Sequence, residues 1–296
     1  MDNHDEETLS LTFWGVRGSI PAPGQHTLRY GGETTCLEVR AGPHTVVVDL
    51  GSGARAAGTA FTERGIEHLD VIFTHTHMDH ICGLPFFRIA YDPSVEVNLW
   101  AGHIPPGGSL EEIVERMMSP PIFPVATSAL RNTNFRSFKA GEPITLVSGL
   151  TLRTQRLNHP GNATGYRIDW CGSSIAIITD HEHGDAQIDA EVAAFVKGAD
   201  VMVYDAMYLE EEYDRFVGWG HSTPEKALKL ATDAGVAAPV LFHHDPCRTD
   251  DALDDLRNTV IAKLPNAEVA REGTRFVLRR GRILESPAMA LAQPVP

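Results

Sequence analysis

Between residues 74 and 80 the chain reads Thr74-His75-Thr76-His77-Met78-Asp79-His80, a density of imidazole and carboxylate that scattering 14 histidines over 296 residues does not explain. His75 and His77 alternate, so a strand-like exit points both rings the same way, and a turn at Met78 lets Asp79 and His80 face a second position. Nitrogen and oxygen donors of this kind suit a borderline divalent cation, zinc above all, at about 2.0–2.2 Å. Manganese and iron accept the same donors, so metal identity stays open.

Such a loop needs a rigid base. Val71-Ile72-Phe73 immediately precedes it, and an apolar run that stops abruptly is a buried strand whose carboxyl end presents the polar residues. Similar short runs recur: Leu11 to Gly15, Thr45 to Leu50, Val95 to Ala101, Thr151 to Leu157, Thr164 to Trp170, Ser173 to Thr179, Val201 to Tyr204 and Val240 to His243. Helical patterns fall at 53–66, Gln187 to Lys197, Ser222 to Ala234 and Asp250 to Leu264, and a further helix is expected to open at Ile81. Arg275 to Leu278 reads as a last edge strand. Strands followed by helices, twice over, predict an α/β (α+β) chain with two mixed sheets and helices outside.

The ligand candidates spread over the whole length with no linker, so one domain over 1–296 is expected, with its core at about 11–282 and a frayed tail at 287–296. Residues 105–134 differ: Ser119-Pro120-Pro121-Ile122-Phe123-Pro124-Val125 is apolar without regular periodicity. That insertion reads as a lid over the cleft or a dimer contact, with ordinary core packing an equal alternative. The oligomeric state is open, a homodimer included.

A net charge of −14 argues against a broad grip on long nucleic acid, where Lys and Arg neutralise phosphates. It does not exclude a small anionic substrate, because bound cations reverse the local sign. No apolar stretch approaches the ~18 residues of a membrane helix and no signal peptide is read at the start, so a soluble cytoplasmic protein is expected. Cys36, Cys82, Cys171 and Cys247 lie far apart and read as small buried or half-buried thiols in a reducing compartment, not as ligands. Arg17 reads as a surface arginine, with an approach to substrate as the alternative.

His-Thr-His-Met-Asp-His resembles the H-x-H-x-D-H signature of the metallo-β-lactamase superfamily, and the other stations follow in family order. Asp49, closing Val46-Val47-Val48, resembles the first-motif aspartate that supports the site without binding metal. His159, Asp180 and one of the pair His243-His244 match the third, fourth and fifth stations, so the resemblance runs from about residue 11 to 245. It implies a four-layer αββα sandwich. It also implies two metals: one on His75, His77 and His159, the other on Asp79, His80 and His243, with Asp180 bridging. His243, which closes the apolar run, is preferred over its neighbour. The nucleophile implied is a hydroxide between the metals.

Within the superfamily the chain looks like the phosphodiesterase-like branch that includes RNase Z and cyclic-nucleotide phosphodiesterases. That branch has an acidic strand end holding a histidine in a Gly-His-Ser/Thr context that serves the phosphate. Asp205 and His221 match it, in Tyr204-Asp205 and Gly220-His221-Ser222. Asp79, Asp205 and His221 are therefore the catalytic candidates. The departures are Thr179-Asp180-His181-Glu182-His183 at the bridging position and no long Gly/Pro-rich arm for tRNA. His181 and His183 extend the site or are solvated loop residues. The reading that results is a binuclear metal-dependent hydrolase of a small phosphodiester, a cyclic nucleotide or a short oligonucleotide end. Its rivals are a carbon-ester, lactone or thioester hydrolase and, second, a redox or binding module. The redox branch commonly has Glu where this chain has His77.

Overall fold

Short apolar strands alternate with connections that change character halfway along the chain. The computed structural model describes residues 6–287. In the amino half, β1 (Thr8–Gly15), β2 (Cys36–Ala41) and β3 (His44–Val48) form an antiparallel meander. Helix α1 (Ala54–Glu63) then crosses to β4 (His68–Phe73), parallel to β3. After α2 (Met78–Ile81) come β5 (Glu96–Ala101), α3 (Leu110–Met117) and β6 (Thr133–Ser137), again parallel.

The carboxyl half repeats the plan. An antiparallel series, β7 (Ile144–Thr145), β8 (Thr151–Leu157), β9 (Ala163–Trp170) and β10 (Ser173–Ile178), precedes α4 (Ala186–Val196) and β11 (Val201–Asp205). Helix α5 (Pro224–Ala234), β12 (Ala238–Phe242), α6 (Asp250–Lys263) and β13 (Glu268–Val269) complete the parallel part. Two last strands, β14 (Arg275–Arg279) and β15 (Arg282–Glu285), cross back to β1. The sheets run β15-β14-β1-β2-β3-β4-β5-β6 and β13-β12-β11-β10-β9-β8-β7.

Period-two alternation makes four layers of these elements. Val46, Val48 and Ile72 from the first sheet meet Ile175, Ile177, Val203 and Phe242 from the second in one buried cluster between the sheets. Their odd-face neighbours Val47, Val71 and Phe73 pack with Ala57 and Phe61 of α1 on one outside. Ala176, Ile178, Met202 and Leu241 pack with Val192, Ala227 and Leu253 of α4, α5 and α6 on the other. Both faces of the central strands are covered, which is why they read as unbroken apolar runs.

Three expectations need correction. The strand at Arg275 lies inside the sheet, between β1 and β15, and β15 is the edge. No helix opens at Ile81: α2 is a single turn, followed by 3-10 turns at Leu84–Phe86 and Arg88–Tyr91. Gly83 lies against the backbone of Gly51, where a Cβ would be 1.9 Å from its carbonyl oxygen, and Pro85 has no N–H to continue a helix. The helix expected from Ser222 begins at Pro224, with the Thr223 side chain capping the Lys226 N–H. In the insertion, Leu110, Val114 and Met118 are buried against the first sheet's outer cluster, while Ile122 is exposed.

Candidate metal centre

The parallel strands of both sheets end along one edge of the sandwich, and there the polar residues gather. Asp49, Asp180 and His243 come one or two residues after β3, β10 and β12, and all three have left-handed backbone, with φ of 61°, 57° and 63°. Left-handed non-glycine residues are uncommon and cost on the order of 1–3 kcal/mol each, and they cluster where a site over-determines them.

Two groups of donors converge. His75, His77 and His159 form one, with His159 Nε2 3.0 Å from His77 Nδ1. Asp79, His80 and His243 form the other: His80 Nε2 and His243 Nε2 are 3.3 Å apart, and each lies 3.3 Å from Asp79 Oδ2. Asp180 stands between. Its Oδ2 is 3.2 Å from His80 Nε2 and 3.3 Å from His243 Nε2, while its Oδ1 faces His75 and His159 Nε2 at 3.8 and 3.9 Å. One carboxylate thus offers an oxygen to each group. His77 is exposed, whereas the other six residues are buried, so the cleft opens on the His77 side.

The donor set fits cations. His80 Nδ1 donates to Asp49 Oδ2 at 2.7 Å, which leaves Nε2 with a lone pair aimed at two carboxylate oxygens and another imidazole. That arrangement is repulsive unless positive charge sits among the lone pairs. His75 Nε2 is buried with no hydrogen-bond partner. Burial pulls the His80 imidazole down, but Asp180, Asp79 and Asp49 outweigh it and push it well up. Burial and the neighbouring imidazoles hold His75 well below the ordinary range. Carboxylates and buried imidazole nitrogens thus converge with no Lys or Arg side chain among them, a donor set that suits divalent cations.

Supporting groups fix the candidate ligands. Asp49 accepts from the Thr74 N–H and hydroxyl, both at 2.7 Å, besides His80. The Ser19 N–H donates to Asp79 Oδ2 at 2.7 Å, and His159 Nδ1 donates to the Gly220 carbonyl at 2.8 Å. Gly18 lets β1's exit approach His243, since a Cβ there would lie 2.3 Å from that ring.

Beside the cluster, Asp205 Oδ2 accepts from His221 Nδ1 at 2.8 Å and from the Asp180 N–H at 3.1 Å. Its Oδ1 accepts from Met207 and Ser222 N–H groups at 3.1 and 3.2 Å. Asp180, Asp205, His221 and His243 also lie close enough to hold an ion. Both Asp205 oxygens are already committed to these donors, so Asp205 is a hydrogen-bonding support. Burial pulls the His221 imidazole down, and the carboxylates of Asp205, Asp180 and Asp79 outweigh it, raising it to about 9. His221 Nε2 has no hydrogen bond among the described residues, and the ring stacks on His243 at 5.0 Å.

All seven candidate ligands, with Asp205 and His221, come together at this edge. Arg17 corrects the sequence reading, for it is fully buried: its guanidinium donates to the carbonyls of Gly31, Asp245 and Arg248 and ties β1's exit to the His243 loop. His244 points elsewhere and donates from Nε2 to the Ala270 carbonyl. His181 is buried and accepts from the Asn158 N–H, so it is no solvated loop residue, whereas His183 is half-buried in the loop and bonds Ser222 Oγ. Cys171 and Cys247 are exposed, contrary to the expected burial. Sequence reasoning missed Glu182, a buried carboxylate that accepts from the Gly218 and Gly220 N–H groups at 2.6 and 2.7 Å. A lone acid among histidines carries no periodic signal.

Residues 44–244 match the model of a family described as beta-lactamase superfamily domain. The chain is similar to a Ribonuclease Z of Haloferax volcanii, 24% identical over 95% of this chain and 96% of that one. Among solved structures it is similar to the metallo-beta-lactamase fold protein YhfI from Bacillus subtilis, with a TM-score of 0.70, 17% identity and coverage of 92% and 100%. It is also similar to a diphosphatase from the PhnP family, with a TM-score of 0.65, 17% identity and coverage of 92% and 97%.

Proposed function

This chain belongs to the metallo-β-lactamase superfamily, and we propose that it is a metal-dependent hydrolase that cleaves a small phosphodiester, a cyclic nucleotide or a short oligonucleotide end. His75, His77 and His159 would hold one cation and Asp79, His80 and His243 the other, with Asp180 shared between them. Zinc suits this nitrogen-rich set best. Two such cations would supply Lewis acidity toward a phosphoryl oxygen and a water of lowered pKa.

The chain's own residues do the rest. Asp49 fixes the His80 ring through Nδ1, and Gly220 fixes His159 in the same way, so both imidazoles present Nε2 as the donor atom. Asp205 holds His221 by Nδ1 and favours its protonated form, leaving Nε2–H to donate to the departing ester oxygen or to a phosphoryl oxygen. An alkoxide expelled from phosphorus needs that proton.

The observation that carries the phosphodiester reading is the Asp205–His221 pair beside the Asp180 carboxylate. A carbon ester with a good leaving group has no use for it. The relative named Ribonuclease Z supports phosphodiester cleavage, and the neighbour named diphosphatase supports attack at phosphorus. The net charge of −14 favours a small substrate over a long nucleic acid. The test is a panel on the purified protein with metal: cyclic nucleotides, bis-aryl phosphates, a lactone, a thioester, a chromogenic β-lactam and a precursor tRNA. Turnover should be highest on the small phosphodiesters. A lactone or thioester turned over faster would refute the reading, and preference for the precursor tRNA would overturn its substrate size.

A further inference from the structure

Between β11 and His221 the chain carries a run of rings that the metal chemistry leaves unused. Tyr208 meets the His221 ring edge to face at 5.7 Å. Phe216 stacks flat on Tyr208, with centroids 4.2 Å apart and planes 5° from parallel, and Trp219 lies edge-on to Phe216 at 5.4 Å. Burial falls steadily outward along this ladder. Tyr208 is buried, Phe216 is half-buried and Trp219 is 61% exposed.

The loop that presents Trp219 is pinned. Glu182 accepts from the N–H groups on either side of Trp219, at Gly218 and Gly220, and from the Tyr213 hydroxyl at 3.3 Å. Arg248 bonds the Met207 carbonyl and the Glu212 carboxylate. A large ring held in water by a fixed backbone exposes apolar surface at a cost, and it stands ready for a flat partner. It is also in place: Trp219 adjoins Gly220, whose carbonyl orients His159, and the ladder starts at the ring proposed to serve the leaving oxygen. On the phosphodiesterase reading, the group attached to that oxygen would lie on the side of this loop.

Charge narrows the partner further. Glu210, Glu211 and Asp214 share the loop, and Arg215 is its one basic residue. Carboxylates here repel a second phosphate, whereas a neutral base meets no such barrier, and any base can stack on an aromatic face. We propose that Trp219, backed by Phe216 and Tyr208, is a nucleobase subsite, so that the substrate is a phosphodiester bearing one nucleoside. This rests on the phosphodiesterase reading above.

The test compares the metal-loaded enzyme and its Trp219→Ala variant on 3′,5′-cyclic AMP and on the matching ribose cyclic phosphate that lacks a base. The variant should lose about 10- to 100-fold in kcat/KM on cyclic AMP, chiefly in KM, because stacking is worth that much. Its rate on the base-free compound should stay near wild type, and Trp219→Phe should recover most of the loss. Equal losses on both compounds would show a structural role and overturn the subsite while leaving the phosphodiesterase reading intact. Unchanged rates, with a dimer turned into a monomer in sedimentation, would make the ring a contact between copies. A wild type that cleaves a carbon ester and neither phosphodiester sinks both proposals.

Discussion

Asp49 and Asp205 hold matching places in the two halves of the molecule and do different work. Each is fully buried at the end of a parallel strand, accepts an N–H from the end of the neighbouring strand, and accepts an imidazole Nδ1–H at 2.7 or 2.8 Å. In the amino half the imidazole so held, His80, aims Nε2 into the carboxylates of Asp79 and Asp180. In the carboxyl half the held ring, His221, keeps Nε2 free of partners among the described residues. On the proposed reading one device would orient a metal ligand on one side and a proton donor on the other, and what lies opposite Nε2 decides which.

The largest effect should come from the carboxylate the two halves share. Asp180→Ala should disturb both metals at once, and elemental analysis should fall well short of two ions per chain. Losing that Lewis acidity, worth several kcal/mol, should cost about 10³-fold or more in turnover. Retention of two ions would break the bridging assignment.

Next come the two aspartates themselves. Asp49→Asn should weaken metal affinity by about 10- to 100-fold, and excess metal should restore much of the activity. Asp205→Asn should keep its metal and lose turnover that added metal does not return. If added metal rescues both, Asp205 serves a ligand and the contrast between the halves disappears.

Within the carboxyl half, His243→Ala should lose the second ion, while His244→Ala keeps it and loses stability instead, about 1–3 kcal/mol for the unpaired Ala270 carbonyl and a further amount for the cavity left against Tyr30. Metal counts on the two variants decide between these neighbours.

The amino half's ligand loop was legible because four candidate ligands fall in six residues behind an apolar strand. The carboxyl half scatters His159, Asp180, Asp205 and His243 over separate strand ends and puts His221 just before α5, and no local spacing links them. Only their order along the chain, matched to a family, marked them out. Glu182 and Arg17 escaped because each works by bonding backbone of a distant loop, which leaves no pattern in sequence. The inside place of β14 escaped for a related reason: β15 is short and follows a two-residue turn, so the sheet's edge lies beyond the last apolar run that reads as a strand.

The smallest expected effect lies away from both aspartates, at Glu272, whose carboxyl burial raises to about 7. Its folded value lies above the unfolded one, so its stabilising share is whole below about 4.5 and is lost as pH rises through 7. Glu272→Gln should flatten the fall in stability over that window in denaturant melts. An unchanged slope would remove Glu272 as its source.

The contrast between the two halves meets its most direct test in the leaving-group dependence of His221→Ala with its metal content measured alongside. Two ions should remain bound, turnover of an alkyl phosphodiester should fall about 10²- to 10⁴-fold, and a p-nitrophenyl phosphodiester, which leaves without a proton, should suffer much less. Loss of an ion in this variant, or no loss on either substrate, would contradict the account.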